Sequence, residues 1–299
     1  MPELPEVENL RIGLERAIVR QKIKSVKVEK PKLVSGKGTK RPPSLKKKLE
    51  FINGLTGERF LCIERRAKNL VFKLSHDKII IVHLKMSGQF SYKPFKKGKQ
   101  INGGHPIELS ETELPNKHTH VTFELERGML YYNDTRMFGY LLYYKDAKAF
   151  ELAQHFSTYG VEPISKDFTV AHLRHGVNGK KGKIKAVLMD QQIVTGLGNI
   201  YADESLFESK IRPDRSPATL SKPEIQKLHK AIVRIITRAI KVGGSSVATY
   251  KLLDESEGNY AREHKVYGKS GKPCVNCNKP LTKTVVGGRT TIFCPKCQK

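Results

Sequence analysis

The chain has 299 residues, of which 38% are hydrophobic, enough for more than one core and too many for a wholly disordered protein. Lys and Arg number 55 against 29 Asp and Glu, a formal net charge of +26 that points to a polyanionic partner, nucleic acid before an anionic membrane surface. No apolar run approaches the roughly 20 residues of a spanning helix, and the acidic, proline-rich start Met1-Pro-Glu-Leu-Pro-Glu is unlike a secretory signal, so a reducing cytosol is expected.

Residues 5–20 predict a helix. Pro5 suits its first turn, and Val7, Leu10, Leu14, Ala17 and Ile18 recur at helical spacing. From Lys22 to about Tyr144 short strands follow: Val26 to Val28, Phe60 to Ile63, Asn69 to Leu74, Lys78 to Leu84, His120 to Leu125, Met129 to Tyr132 and Tyr140 to Tyr144. Asn53-Gly54, Ser75-His76-Asp77 and Arg127-Gly128 mark turns between them. Strands in succession without helices between them predict a sandwich or barrel. Two polar stretches, Pro31 to Lys48 and Lys93 to His118, are expected as long surface loops, either binding loops or mobile insertions.

After Asp146 the pattern turns helical. Pro223 to Val242 carries one apolar face, a capping box of Ser221 and Glu224, and a Gly243-Gly244 stop. Leu188, Ile193, Leu206 and Phe207 predict two shorter helices around a glycine turn. The last 36 residues form a separate small unit.

Several motifs carry chemistry. Cys274-x2-Cys277 and Cys294-x2-Cys297 offer four thiolates in two close pairs, the pattern of a closed, structural Zn²⁺ site; two disulfides fit less well without a secretion signal. The segment between them reads as strand, Gly287-Gly288 turn, strand, with Arg289 at the tip to grip a phosphate or simply to face solvent. Gly196-Leu-Gly198-Asn199 enters a helix, where Asn199 would cap the helix or donate to a phosphate. Met86, Arg136 and Phe138 combine apolar wedges with a cation near flexible glycines, suited to filling a gap in a base stack; core packing is the alternative for Met86 and Phe138. Removal of Met1 would give Pro2 a free secondary amine, in part neutral at pH 7 and able to form an imine, beside the carboxylates Glu3 and Glu6.

Together these residues resemble the formamidopyrimidine-DNA glycosylase family over the whole chain. The matching segments, in order, are Pro2 to Val7, Arg65 to Lys68, His83 to Gly88, Asp134 to Gly139, Gly196 to Ala202, Glu204 to Phe207, Tyr267-Gly268 and the cysteine pairs. The resemblance implies an α+β multidomain protein. Residues 1–145 would be an N-terminal β-sandwich with an N-terminal helix, 146–263 a helical domain with a helix–two-turn–helix, and 264–299 a zinc-finger hairpin, with DNA in the cleft between them. It implies a monomeric, nucleoid-associated cytoplasmic enzyme that acts on double-stranded DNA containing an oxidised base. Such an enzyme removes 8-oxoguanine and formamidopyrimidines and then cuts the abasic site by β/δ-elimination through a Schiff base on Pro2.

Carried over by motif, Pro2 is the nucleophile and Glu3 assists ring opening and proton transfer. Lys68, Asn199 and Arg289 hold phosphates, and Met86, Arg136 and Phe138 fill the vacated stack. Glu6 and Glu204 support the site, and one structural zinc sits on Cys274, Cys277, Cys294 and Cys297. The chain departs from the family at Met137, where a second arginine is common, at Lys85, where glycine is usual, and after Gly243-Gly244, where a lysine often stands. Lys251 to Tyr260 resembles the loop that caps the lesion. Competing readings are an endonuclease VIII-like glycosylase for oxidised pyrimidines, which Leu4 disfavours, a catalytically inactive damaged-DNA-binding protein, and a ribosomal or RNA-binding protein with a zinc ribbon.

Overall fold

The computed structural model describes residues 1–96, 101–104, 114–245 and 259–299. The chain forms two compact units, residues 1–156 with 243–258 and residues 157–242 with 259–299. The segments expected as the lesion-capping loop and as the middle of the 93–118 loop fall largely outside the described residues.

The first unit opens with α1 (Leu4–Ile18) and β1 (Ile23–Val28), followed by α2 (Leu45–Leu55). Next come β2 (Phe60–Arg66), β3 (Asn69–Leu74), β4 (Ile79–His83), β5 (Gly88–Pro94) and β6 (Ile101–Gly104). Then follow β7 (Thr119–Leu125), β8 (Gly128–Asp134), β9 (Tyr140–Tyr144) and α3 (Ala147–Leu152). Two antiparallel sheets result, ordered β1-β7-β8-β5-β6 and β2-β3-β4-β9. They face each other across one core: Phe60, Phe72, Ile80 and Leu141 from one sheet meet Phe90, Val121, Phe123 and Tyr132 from the other, and the apolar stripe of α1 joins them. This is the expected β-sandwich with its N-terminal helix.

β4 is buried along its whole length, unlike a strand with one wet face. Its second face carries Ile79 and Ile81, which pack with Val71, Phe150 of α3 and Phe156, and this double cover explains the unbroken Ile79–Val82 run.

The segment 31–48 differs from the loop expected. Leu33 and Val34 lie in the core on a short 3-10 turn, and α2 begins inside the segment. Ser44 caps that helix by accepting the Lys47 amide at 3.3 Å. The helix has a weak sequence pattern because it buries only Phe51 and Leu55 and is otherwise lysine-rich and exposed.

The second unit contains α4 (Val170–Val177), α5 (Ile184–Leu188), α6 (Asn199–Glu208), α7 (Lys222–Lys241), α8 (Tyr260–Glu263) and the hairpin β10 (Thr282–Val286) with β11 (Arg289–Phe293). α7 has the expected capping box and apolar face. Nearly every residue of α6 is buried, so it is the central element of this unit. No helix among the described residues is long and apolar enough to cross a membrane.

Candidate active site

Local chemistry builds the N-terminal site. Glu3 precedes α1 in extended conformation, and its amide donates to Glu6 Oε2 at 2.8 Å. Glu3 and Glu6 are both buried, and the positive end of the helix stabilises anionic carboxylates there. Glu6 Oε1 accepts the Ser245 amide at 2.8 Å. Gly244, with φ +80°, makes that approach possible, because a Cβ at this position would stand 2.7 Å from Glu6 Oε1.

The chain's α-amine, here on Met1, feels Glu3, Glu6, Lys68 and Arg136 together. Burial is the main cause of its lowered pKa; Lys68 and Arg136 reinforce it, against the pull of Glu3 and Glu6. Pro2 itself is buried. The structure therefore gathers Pro2, Glu3, Glu6 and Lys68 in one place. Lys68 is buried on the β2–β3 turn, where Ala67 takes φ +56°.

Glu8, which sequence reasoning passed over, ties this turn to α1 through Arg65. Arg65 Nε donates to Glu8 Oε2 at 2.7 Å and Nη1 to Ala67 O at 3.0 Å, while Glu8 also pairs with Arg11 at 2.8 Å. Burial alone would raise the Glu8 pKa, but the Arg11 and Arg65 hydrogen bonds outweigh it and lower it. The Glu8 position on the inner turn of α1, one turn past Pro5, was the available signal.

The β5–β8 register pairs Gly88 with Asp134 and so sets two turns side by side. Asp134 is fully buried and accepts from Ser87 Oγ, from the Arg136 amide at 3.2 Å and from the Gly139 amide at 2.8 Å. This fixed loop presents the Arg136 guanidinium 4.6 Å from the Phe138 ring centre, with Nη1 3.1 Å from Met86 Sδ. Met86 is 44% exposed and Phe138 half-buried, so the core alternative for them fails. Met137, at φ +51°, packs against the core in their stead.

In the second unit Gly198, not Asn199, occupies the N-cap of α6. Asn199 Nδ2 instead donates to Thr290 O at 3.1 Å, beside exposed Arg289. The hairpin tip is set by Gly287 and Gly288, both at positive φ, and a Cβ on Gly287 would stand 2.9 Å from Ala186 Cβ. Beneath the tip lies a second pair not foreseen from sequence. Lys185, fully buried, donates to Thr290 O at 3.0 Å and Thr291 Oγ1 at 2.7 Å, and pairs with Asp203 at 2.7 Å. Burial pushes Asp203 up to about 6 despite that partner. Glu204, equally buried, accepts the amides of Lys265, Val266 and Tyr267 at 2.8–2.9 Å and so anchors the chain entering the finger.

The sulfurs of Cys274, Cys277, Cys294 and Cys297 all lie within 4.8 Å of one another, with Cys277–Cys294 at 3.5 Å and Cys274–Cys297 at 3.9 Å. A tetrahedral zinc with bonds of about 2.3 Å needs sulfurs roughly 3.8 Å apart. The Lys279 amide is the main cause that lowers Cys277 to about 7, whereas burial raises Cys294 and Cys297. The cluster fits one structural zinc, which four protein ligands would close with no open position for catalysis.

A two-sheet sandwich with a partly buried N-terminal amine, a helical unit and a four-cysteine finger define a DNA glycosylase of the helix–two-turn–helix, zinc-finger class. Family models match in chain order: the formamidopyrimidine-DNA glycosylase N-terminal domain over residues 1–141, its H2TH domain over 159–251, and the zinc finger found in FPG and IleRS over 271–299. Curated formamidopyrimidine-DNA glycosylases from Listeria monocytogenes and Bacillus cereus are 37% and 39% identical, each over 100% of this chain and 100% or 99% of the relative. A Lactococcus lactis Fpg variant in complex with Fapy-dG DNA superimposes with a TM-score of 0.84 at 35% identity over 100% of both chains. The same enzyme with abasic-site DNA gives 0.84 over 99% of both. The chain belongs to the formamidopyrimidine-DNA glycosylase family, and is a base-excision repair glycosylase with abasic-site lyase activity.

Proposed function

We propose that this enzyme excises oxidised purines, 8-oxoguanine and formamidopyrimidines, from duplex DNA in the cytoplasm, at the nucleoid. After base loss it cuts the strand by β- and δ-elimination with the Pro2 amine as nucleophile. The observation that carries this is the partly buried α-amine among two buried carboxylates, Lys68 and Arg136. While Met1 is present the Pro2 nitrogen is an amide, so its removal is part of the reading.

The Pro2 nitrogen attacks C1′ of the damaged nucleotide and passes its proton to Glu3, while the bond from C1′ to the base breaks and the base leaves with a proton from water. Glu3 donates a proton to the sugar ring oxygen as the ring opens, leaving an iminium. That cation acidifies the C2′ proton. Its removal expels the 3′ phosphate, a second elimination expels the 5′ phosphate, and water hydrolyses the iminium to restore the amine. Glu6 holds the Glu3 amide, Lys68, Asn199 and Arg289 grip phosphates around the extruded nucleotide, and Met86, Arg136 and Phe138 fill its place in the stack. Glu204 supports the finger that carries Arg289. Residues 1–145, 146–263 and 264–299 are the three functional parts in this reading.

Borohydride trapping on duplex DNA with 8-oxoguanine opposite cytosine tests it. The expected product is a covalent adduct mapped by mass to Pro2. An adduct on a lysine, or full trapping by N-terminally acetylated protein, would refute the nucleophile. Trapping on an abasic site but not on 8-oxoguanine would refute the purine specificity alone.

A further inference from the structure

Tyr140, the first residue of β9, is ringed by basic side chains within the first unit. The Lys85 ammonium lies 5.8 Å from its ring centre, and the rings of His83 and His155 lie 5.6 and 6.3 Å away. His83 Nδ1 accepts the Lys85 amide at 3.0 Å, and His155 Nδ1 is 3.1 Å from the Tyr144 hydroxyl. On the adjoining side Arg41 donates to Lys32 O at 2.6 Å and to Gly38 O and Gly139 O, folding the 35–43 loop against the start of β9. Lys37, exposed on that loop, is near enough to His155 to add to the effect of burial in lowering the histidine to about 4.

The cations among these groups repel one another and disfavour charge on the histidines. Burial first and Arg41 second lower the Lys85 pKa; burial, then Lys85 and Lys68, lower His83. No described carboxylate stands at ion-pair distance from Lys37, Arg41 or Lys85, although ion pairs are frequent elsewhere in this unit, as at Lys73–Glu64 and Lys78–Glu58. Backbone carbonyls hold Arg41, which also feels the Asp134 carboxylate, and an aromatic ring holds Lys85. Lys85 also sits at φ +52°, a conformation in which glycine is more comfortable, so a cation is kept at some conformational cost. Lys85 and Lys37 have no described carboxylate acting on them, and Lys85 adjoins Met86 of the exposed Met86–Arg136–Phe138 patch.

We propose that Lys85, with Lys37, binds a DNA backbone phosphate beside Tyr140, beyond those assigned to Lys68, Asn199 and Arg289. The inference rests on the DNA-glycosylase reading. It adds a contact on the same unit as the apolar wedge, so that the strand is held where the stack is opened. Its contribution is electrostatic and independent of sequence, and it appears in the salt dependence of binding.

The test is the affinity of the full chain for a labelled duplex carrying a tetrahydrofuran abasic analogue, measured by anisotropy from about 50 to 200 mM salt. Lys85→Gly is expected to lower the slope of log K against log salt by about 0.9, with a thermal midpoint no lower than that of the parent. Lys85→Arg restores the slope. Lys37→Ala moves it the same way by less, and Lys73→Ala, whose charge is already paired with Glu64, leaves it unchanged. A parental slope in Lys85→Gly, or an equal loss in Lys73→Ala, overturns the proposal while the repair reading stands. An unmodified chain that does not bind the abasic duplex overturns both.

Discussion

Gly244 carries two constraints at one residue. Its φ of +80° suits glycine, and a Cβ would stand 2.7 Å from Glu6 Oε1. Glu6 in turn holds the Glu3 amide. Gly244→Ala is therefore expected to cost about 1–3 kcal/mol, from backbone strain and a displaced carboxylate. Chemical denaturation measures the first effect and single-turnover base excision the second; both should fall, the activity by more than the lost folded fraction explains. The same residue scale explains the departures from the family pattern. Lys85 and Met137 both adopt positive φ, at +52° and +51°, and Met137 uses that conformation to turn its side chain into the core while Arg136 and Phe138 face outward.

At the scale of elements, the hairpin β2–β3 is held at both ends. Arg65 and Glu8 tie its turn to α1, and Glu58, just before β2, ties its base to the turn before β4. Burial would raise the Glu58 carboxyl, but hydrogen bonds from Lys78, Ser75 and His76 outweigh it and hold it at about 2, against 4.5 when unfolded. A depressed carboxylate contributes stability that is complete above its unfolded pKa and disappears as pH falls through the folded one. Glu58→Gln should thus be less stable than the parent at pH 7, and the two thermal midpoints should converge between about pH 4.5 and pH 2. Midpoints that stay apart at low pH would show that the glutamine disturbs packing and not an ionised network.

At the scale of the molecule, the net charge of +26 belongs to a chain of two compact units. The finger has a core of its own, in which Cys274 and Cys294 are fully buried with Val266, Leu281, Ile292 and Phe207 of α6. Arg289 and the Thr290 carbonyl that receives Asn199 and Lys185 hang from that core. Cys294→Ser should release the zinc, measured by elemental mass spectrometry, and weaken binding to abasic duplex DNA about tenfold or more, because loss of a second-unit anchor removes several contacts together. Full zinc content with parental affinity would contradict the structural role.

Local patterns carried much of this protein. The capping box of α7, the strands Asn69–Leu74 and Tyr140–Tyr144, the paired cysteines and the ordered motifs of the family are all short-range, and periodicity, turn chemistry and ligand spacing express them directly. α2 escaped because it is lysine-rich and buries only Phe51 and Leu55, and β5 because Gln89 and Ser91, though buried, break its apolar pattern. The site divided in the same way. Pro2, Glu3, Lys68, Asn199 and Arg289 could be named from motifs, but Asn199 spends its amide on Thr290 instead of capping α6. Lys185 and Asp203 had no signature of their own, and Glu8 had only its place on α1. Their roles exist only once strand register and helix packing bring residues distant in sequence within 3 Å, as Lys185 and Thr291 are at 2.7 Å. Spacing along a chain reports chemistry within a turn or a hairpin; which buried charges face one another is decided by the tertiary packing that removes them from water.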